Sequence, residues 1–309
     1  MNSTSAAKSP IVLRYAAFPA PAVSPASPAT PAGTSHVGGN PAGIVLDASG
    51  LGEAEMQRIA ADIGYSETAF ITETASSPST TGETRRSIRY FSPGAEVPFC
   101  GHATIATAVA LAERTGIGQL TFDTPIGAVV IQTAVVEGRI VAAFTSVVPE
   151  VKPLDPVVRT GLLALLGLAE SDLDERFPLL SAYAGNWHPL VFVRETSTFD
   201  AVTFDPAAAR RMMDAEGWAG TISVLHAVAE HEFEARNVFP VGEITEDPAT
   251  GSAAASLGGY LREAGLLAAP ARILIHQGRH VGRPSLLTVD IPVAGGIIVS
   301  GTAVAIESN

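Results

Sequence analysis

The segments Arg89-Tyr-Phe-Ser-Pro93-Gly-Ala-Glu96 and Arg236-Asn-Val-Phe-Pro240-Val-Gly-Glu243 repeat one spelling in different halves of the chain, with Arg, Pro and Glu in the same relative places. Each leads to a glycine that opens a run of small residues: Gly101-His-Ala-Thr-Ile-Ala-Thr-Ala-Val-Ala in one half, Gly251-Ser-Ala-Ala-Ala-Ser-Leu-Gly-Gly-Tyr in the other. Both runs read as helices that are apolar almost all round, which predicts that each is enclosed on every side rather than laid on a surface. Strands curled around a central helix would enclose it in this way.

Outward from these segments the context repeats as well. Before the first copy, Met56, Ile59, Ala60 and Ile63 fall at helical spacing, Gly64 ends the helix, and Ala69-Phe-Ile reads as strand. Before the second, Pro206 to Gly217 reads as a helix with proline in its first turn, followed by the strand Thr221-Ile-Ser-Val-Leu. Strand-like segments follow each small-residue helix, Leu120-Thr-Phe-Asp and Ala128-Val-Val-Ile in one half, Ile273-Leu-Ile-His and Leu286-Leu-Thr-Val in the other. The expected fold class is therefore α+β, with two pseudo-symmetric domains, each a β-barrel-like sheet wrapped around a central helix. The halves are placed at residues 10–150 and 151–291, with a last strand near 292–309 able to return to the first. Two such halves would face each other across a cleft, the usual place for a ligand.

The chain has 309 residues, of which 47% are hydrophobic, enough for two cores or one large one. Its net charge is −12 and it carries no run of Lys or Arg, so a small molecule is the expected partner, not nucleic acid or membrane. The sole cysteine, Cys100, excludes an internal disulfide and fits a reducing compartment, with the cytoplasm as the expected location. No secretory signal is read at the N-terminus and no run of about 18 apolar residues occurs, so a soluble protein is expected. Residues 17–35, rich in Pro, Ala and Ser, read as a surface loop or as a lid over a pocket.

The chemistry gathers at the two helix starts. A helix N-terminus presents unpaired N–H groups and about half a positive charge, so two of them aimed into one cleft predict an anionic substrate held near Gly101 and Gly251. Thr250 and Ser252 can add hydroxyl donors to that substrate or can simply cap the helix. His102, in the first turn of its helix, is either an imidazole that bonds substrate and relays a proton or a satisfied core residue. Asp247 precedes the second helix start, where it can serve the site or merely complement the helix dipole. Glu67, in Gly64-Tyr-Ser-Glu67-Thr-Ala-Phe, stands where a helix has ended and a strand begins. No H-E-x-x-H run occurs among the histidines, so no metal is expected, and without a Walker or G-x-G-x-x-G loop no nucleotide cofactor is expected either.

Taken in order, Gly39-Asn40-Pro41-Ala42-Gly43, the Ser66-Glu67-Thr68 turn, Arg89 to His102, Glu246-Asp-Pro-Ala-Thr-Gly-Ser252, and Gln277-Gly with Arg283-Pro284 resemble the PhzF-like family of phenazine-biosynthesis isomerases over nearly the whole chain. The resemblance implies a diaminopimelate-epimerase-type fold, commonly a homodimer. It also implies a cofactor-independent isomerase that moves a proton within a small, carboxylate-bearing, conjugated ring metabolite. Carried over by motif, Glu67 would be the acid/base, with His102 and Asp247 assisting, and Gly101, Thr250, Gly251, Ser252 and Asn40 binding substrate. Two rival readings remain. One is a racemase or epimerase using Cys100 with a second base such as Asp247; the other is a non-catalytic protein that binds small anions.

Overall fold

The computed structural model describes residues 10–21, 38–74, 84–241 and 244–307. Most of the Pro/Ala-rich stretch, residues 22–35, and Glu243 of the second repeat lie outside the described residues. The first half runs β1 (Leu13–Ala17), β2 (Asn40–Val45), α1 (Glu53–Ile63), β3 (Glu67–Thr74), β4 (Thr84–Phe91), β5 (Glu96–Val97), α2 (Gly101–Thr115), β6 (Gln119–Thr124), β7 (Gly127–Val136) and β8 (Arg139–Thr145). The second runs β9 (Glu150–Pro153), α3 (Pro156–Leu165), β10 (Leu180–Tyr183), β11 (Trp187–Phe192), α4 (Thr196–Ala201), α5 (Pro206–Glu216), β12 (Ile222–Ala229), β13 (Glu232–Val241) and β14 (Ile244–Asp247). It ends with α6 (Gly251–Glu263), β15 (Ala271–Gln277), β16 (Ser285–Ile291) and β17 (Ile298–Ala305).

Strand pairing shows why the two small-residue helices are enclosed. β1, β2, β3, β4, β6, β7 and β8 pair in sequence, and β17 pairs with both β8 and β1, closing a barrel of eight strands around α2. Every residue of α2 from His102 to Ala112 is buried, so its apolar character on all faces is what the barrel interior requires. In the second half, β9 to β13 pair in order, β13 pairs with β15, and β16 joins β15 to β17. Among the described residues no pairing joins β9 to β16, so this second sheet curls around α6 without closing. The helix is packed closely enough that a Cβ on Gly259 would come within 2.3 Å of Pro149, a position only glycine fills. This α+β architecture is the diaminopimelate-epimerase type that the resemblance implies.

The remaining helices cover the outer sheet faces. Met56, Ile59 and Ala60 of α1 bury against Val45, Phe70 and Phe91, while α3, α4 and α5 pack Leu162, Phe199 and Met213 against Val191, Val193 and Val224. No helix among the described residues is long and apolar enough to cross a membrane.

Register corrects one detail of the repeat. In the first half Tyr90 faces Val97 and Phe91 faces Glu96; in the second Asn237 faces Asp247 and Val238 faces Glu246. Glu246, not Glu243, therefore stands where Glu96 stands, and the second copy has the longer hairpin. Arg236 accordingly holds Glu246, through Nε at 3.2 Å and Nη2 at 2.6 Å, as Arg89 holds Glu96. The true repeat unit is Glu96-Val-Pro-Phe-Cys-Gly101 against Glu246-Asp-Pro-Ala-Thr-Gly251.

Candidate active site

The two barrel helices begin side by side. A Cβ on Gly101 would lie 3.7 Å from the Cα of Gly251, and the two glycines line one cavity of about 250 Å³ between the halves. Glu67, Cys100, His102, Asp247, Thr250 and Ser252 line the same cavity, and Asn40 stands behind Asp247, hydrogen-bonded to it. The structure thus brings together the eight residues expected to serve an isomerase and the Cys100 of the rival reading.

Asn40 organises the floor. It starts β2, is almost fully buried, and its Nδ2 lies 2.7 Å from Asp247 Oδ1, 3.1 Å from the Ala249 carbonyl and 3.2 Å from His102 Nδ1. An amide nitrogen carries two hydrogens for these three contacts; where one of them goes to Nδ1, the ring N–H of His102 is the one on Nε2. That nitrogen faces Glu67 Oε2 at 3.4 Å, with Ser66 Oγ at the same distance. Glu67 opens β3 one turn after the left-handed Gly64 that ends α1, so the helix stop and strand start together fix where its carboxylate projects.

Asp247 is held differently. Thr250 Oγ1 donates to its Oδ2 at 2.6 Å while Asn40 donates to Oδ1, so both oxygens are engaged. Thr250 spends its hydroxyl there and does not cap α6, which removes the simple capping reading. Gln277 locks the turn, donating to the Asp247 carbonyl at 2.6 Å and accepting from the Thr250 N–H at 3.2 Å. Burial pushes the Asp247 carboxyl up to about 6, against the pull of His102 and of the Thr250 and Asn40 bonds, with the charge of Glu67 adding to the rise. Glu67, by contrast, keeps 14% of its side chain exposed to the cleft.

Cys100 lies with Sγ 3.3 Å from His102 Nδ1. Burial, and then the nearby charge of Glu67, hold its thiol well above the ordinary range, so it is a neutral thiol. One ligand-type atom each of Glu67, Cys100 and His102 lies within 4.8 Å of the others, a trio that spacing along the chain does not reveal. His226 lies on β12 and His231 in the turn that follows it.

Sequence reasoning missed His188. It is fully buried on β11, where Nε2 meets Ser252 Oγ at 3.1 Å and Nδ1 meets the Thr221 hydroxyl, carbonyl and N–H at 3.0 Å each. Thr221 continues to Asn237 Oδ1 at 2.6 Å, which also accepts from Ser223, so a buried polar chain runs back from Ser252. Burial lowers His188 to about 4, leaving a neutral ring that fixes the Ser252 hydroxyl. A Cβ on Gly220 would lie 2.6 Å from His188 Cε1, so the bare glycine makes room for the ring.

The sequence model for the phenazine biosynthesis-like protein family matches residues 33–309. Trans-2,3-dihydro-3-hydroxyanthranilate isomerase of Pseudomonas chlororaphis is 32% identical over 250 residues, covering 81% of this chain and 84% of its own. The crystal structure of a PhzF-family phenazine biosynthesis protein from Bacillus anthracis matches at a TM-score of 0.76 and 27% identity, covering 96% of each chain. A hydroxyproline epimerase from Agrobacterium vitis, at 12% identity and a TM-score of 0.58 over 96% of this chain and 91% of its own, shares the fold alone. On the family match and the relative's identity and coverage together, the chain belongs to the phenazine biosynthesis-like protein family and is an isomerase.

Proposed function

We propose that the protein shifts a proton from one carbon to another within a small carboxylate-bearing metabolite, with Glu67 as the acid/base and no cofactor or metal required. The observation that carries this reading is the contrast between the two acids. Both oxygens of Asp247 are tied to Asn40 and Thr250, whereas Glu67 reaches the cleft beside the Cys100 thiol and with Oε2 3.4 Å from His102 Nε2. A carboxylate that must take up and give back a proton needs that freedom; one that positions a wall does not.

The substrate carboxylate rests at the starts of α2 and α6, whose N–H groups favour negative charge. Glu67 removes a proton from a carbon conjugated to that carboxylate, and charge flows into an enolate-like oxyanion at the helix starts. Such donors contribute about 2.7–4 kcal/mol when aimed at the developing charge. Glu67 then returns the proton to a second carbon, with His102 Nε2–H holding the carboxylate in place between the two steps. Ser252, fixed by His188, donates to the substrate. The working unit is a homodimer in the cytoplasm.

The racemase alternative needs a thiolate and a partner base. Cys100 is a neutral thiol, and the position equivalent to it at the start of α6 is Thr250, already bonded to Asp247. The discriminating experiment follows trans-2,3-dihydro-3-hydroxyanthranilate, the compound in the relative's name, by NMR in deuterated water. Glu67→Gln should be at least a hundredfold slower than wild type with affinity within a few-fold, while Cys100→Ala keeps most of its turnover. Near-normal turnover in Glu67→Gln, or a thousandfold loss in Cys100→Ala with binding intact, would overturn the assignment.

A further inference from the structure

Beside the polar cleft lies a second cavity of about 380 Å³ whose lining contains no ionisable side chain. Phe99, Phe144, Val129, Ile126, Val147 and Ala184 form much of it. The two cavities adjoin, with Pro98, Phe99, Asn186 and Ser252 lining both. Phe99 is held between Tyr90 and Phe144 in edge contacts with centroids 6.0 Å apart, so this dividing wall is a fixed aromatic surface. Asn186 stands at the neck, and its side-chain amide has no partner among the described residues. Ile126, Val130 and Val147 leave 45–56% of their surface open around the annex, an apolar rim that none of the described residues covers.

We infer that the substrate is amphiphilic, with its carboxylate end at the helix starts and an uncharged hydrocarbon or aryl substituent seated in the annex beyond Ser252 and Asn186. The inference rests on the proposed carboxylate cleft and extends it. Every titratable group facing the two cavities, Glu67, Cys100, His102, His188 and Asp247, is on the cleft side of the neck. A charged group in the annex would therefore meet no counter-charge, while an apolar one would displace water from Phe99, Phe144 and Val129. The four lining residues shared with the cleft favour a substrate group over a second protein copy as the occupant.

The test measures binding of propionate, 3-phenylpropionate and 3-phenylpropionamide to the full chain by titration calorimetry, with sedimentation at the same concentrations. In the wild type the phenyl group should tighten binding at least tenfold over propionate. Ala128→Trp, an exposed β7 position lining the annex, should abolish that gain while propionate affinity changes less than twofold. Val147→Arg, on the opposite rim and also exposed, should do the same by placing a charge in the annex, and melting curves establish that both variants fold. A phenyl gain that is absent, or that survives both variants, overturns the annex as a substrate subsite. So does a dimer that both variants dissociate while no phenyl gain is seen, which would make the annex an interface between copies. Acid and amide isolate the underlying reading: equal affinity for both strikes the carboxylate cleft while the loss of the phenyl gain in the variants still supports the annex.

Discussion

The two halves share a backbone plan and divide its chemistry unequally. Register makes Glu67 equivalent to Thr221, Val97 to Asp247, Cys100 to Thr250, His102 to Ser252 and Asn40 to Asn186. The first half puts its acid at the start of β3, open to the cleft; the second puts its acid in the turn before α6, bonded on both oxygens. In the first half an imidazole rises from the helix to meet that acid. In the second an imidazole from the strand, His188, fills the space between the hydroxyls at the two equivalent places. The repeat supplies two facing helix starts, and the departures from the repeat leave one acid open to the cleft on one side, the group proposed to transfer the proton.

The same division governs stability, and the largest expected effect lies there. Arg236 and Glu246 each leave only 9% of their side chains exposed, and Arg236 Nη1 also donates to the Phe199 and Val202 carbonyls, whereas Arg89 and Glu96 are about a third exposed. Arg236→Ala should lower unfolding free energy by about 3–5 kcal/mol, because it strands a buried carboxylate. Arg89→Ala, measured in the same denaturant titration, should cost about 1 kcal/mol or less. Equal losses would mean the two ion pairs are not the inside and outside versions of one motif.

Asp247 gives the next effect, in its pH dependence. Its folded carboxyl titrates near 6 against an ordinary value of 3.8, so between those values the folded state holds a proton that the unfolded state has released. Its contribution to stability is therefore fully present below about pH 4, falls as pH rises to about 6, and is flat above. Asp247→Asn has no such group. The stability difference between wild type and variant should shift against the wild type by on the order of 2–3 kcal/mol from pH 4 to 7, and a pH-independent difference would contradict it.

How far the sequence reaches is visible in the same residues. Gly101, His102, Gly251, Ser252 and Asp247 were legible because each is adjacent to a glycine-led apolar helix, and Glu67 because Gly64 marks the helix stop before it. The Glu-x-Pro-x-x-Gly unit was present in both copies, but the spelling anchored on Arg paired Glu96 with Glu243. A longer hairpin cannot be told from a shifted motif until ladder pairing is known. His188 carried no local signal, since its partners Thr221 and Ser252 are distant in the chain and meet only when β11, β12 and α6 are assembled. The annex was equally invisible, being formed from β7, β8, the segment before α2 and the turn before β11.

A smaller effect probes that hidden residue. His188→Leu keeps bulk at the site but frees the Ser252 hydroxyl, and should lower kcat/KM about tenfold. Ser252→Ala should lose a similar factor and the double variant no more than either alone, because His188 reaches the substrate only through the Ser252 hydroxyl that each variant frees or removes. Additive losses would show that His188 acts other than through Ser252. The smallest contrast is between the glycines: a Cβ on Gly251 would crowd Phe144 at 3.0 Å, whereas on Gly101 it would meet the same ring at 3.5 Å, ordinary contact. Gly251→Ala should lower stability by about 1 kcal/mol, with Gly101→Ala close to neutral in the same melting experiment.

The pairing of β17 with β8 and β1 has a consequence for synthesis. The strand that shuts the first barrel, Ile298–Ala305, is made only after the strands and helices of the second half. Until it arrives, β1 and β8 are bare edges and α2 lies in an open trough, so the earlier-made half must wait, exposed, for the second half to be synthesised. Such a distant closure slows folding and hands the shutting of the barrel to the eight residues of β17. A chain stopped just before Ile298 would contain every residue of the proposed cleft and still lack the strand that closes the barrel around His102.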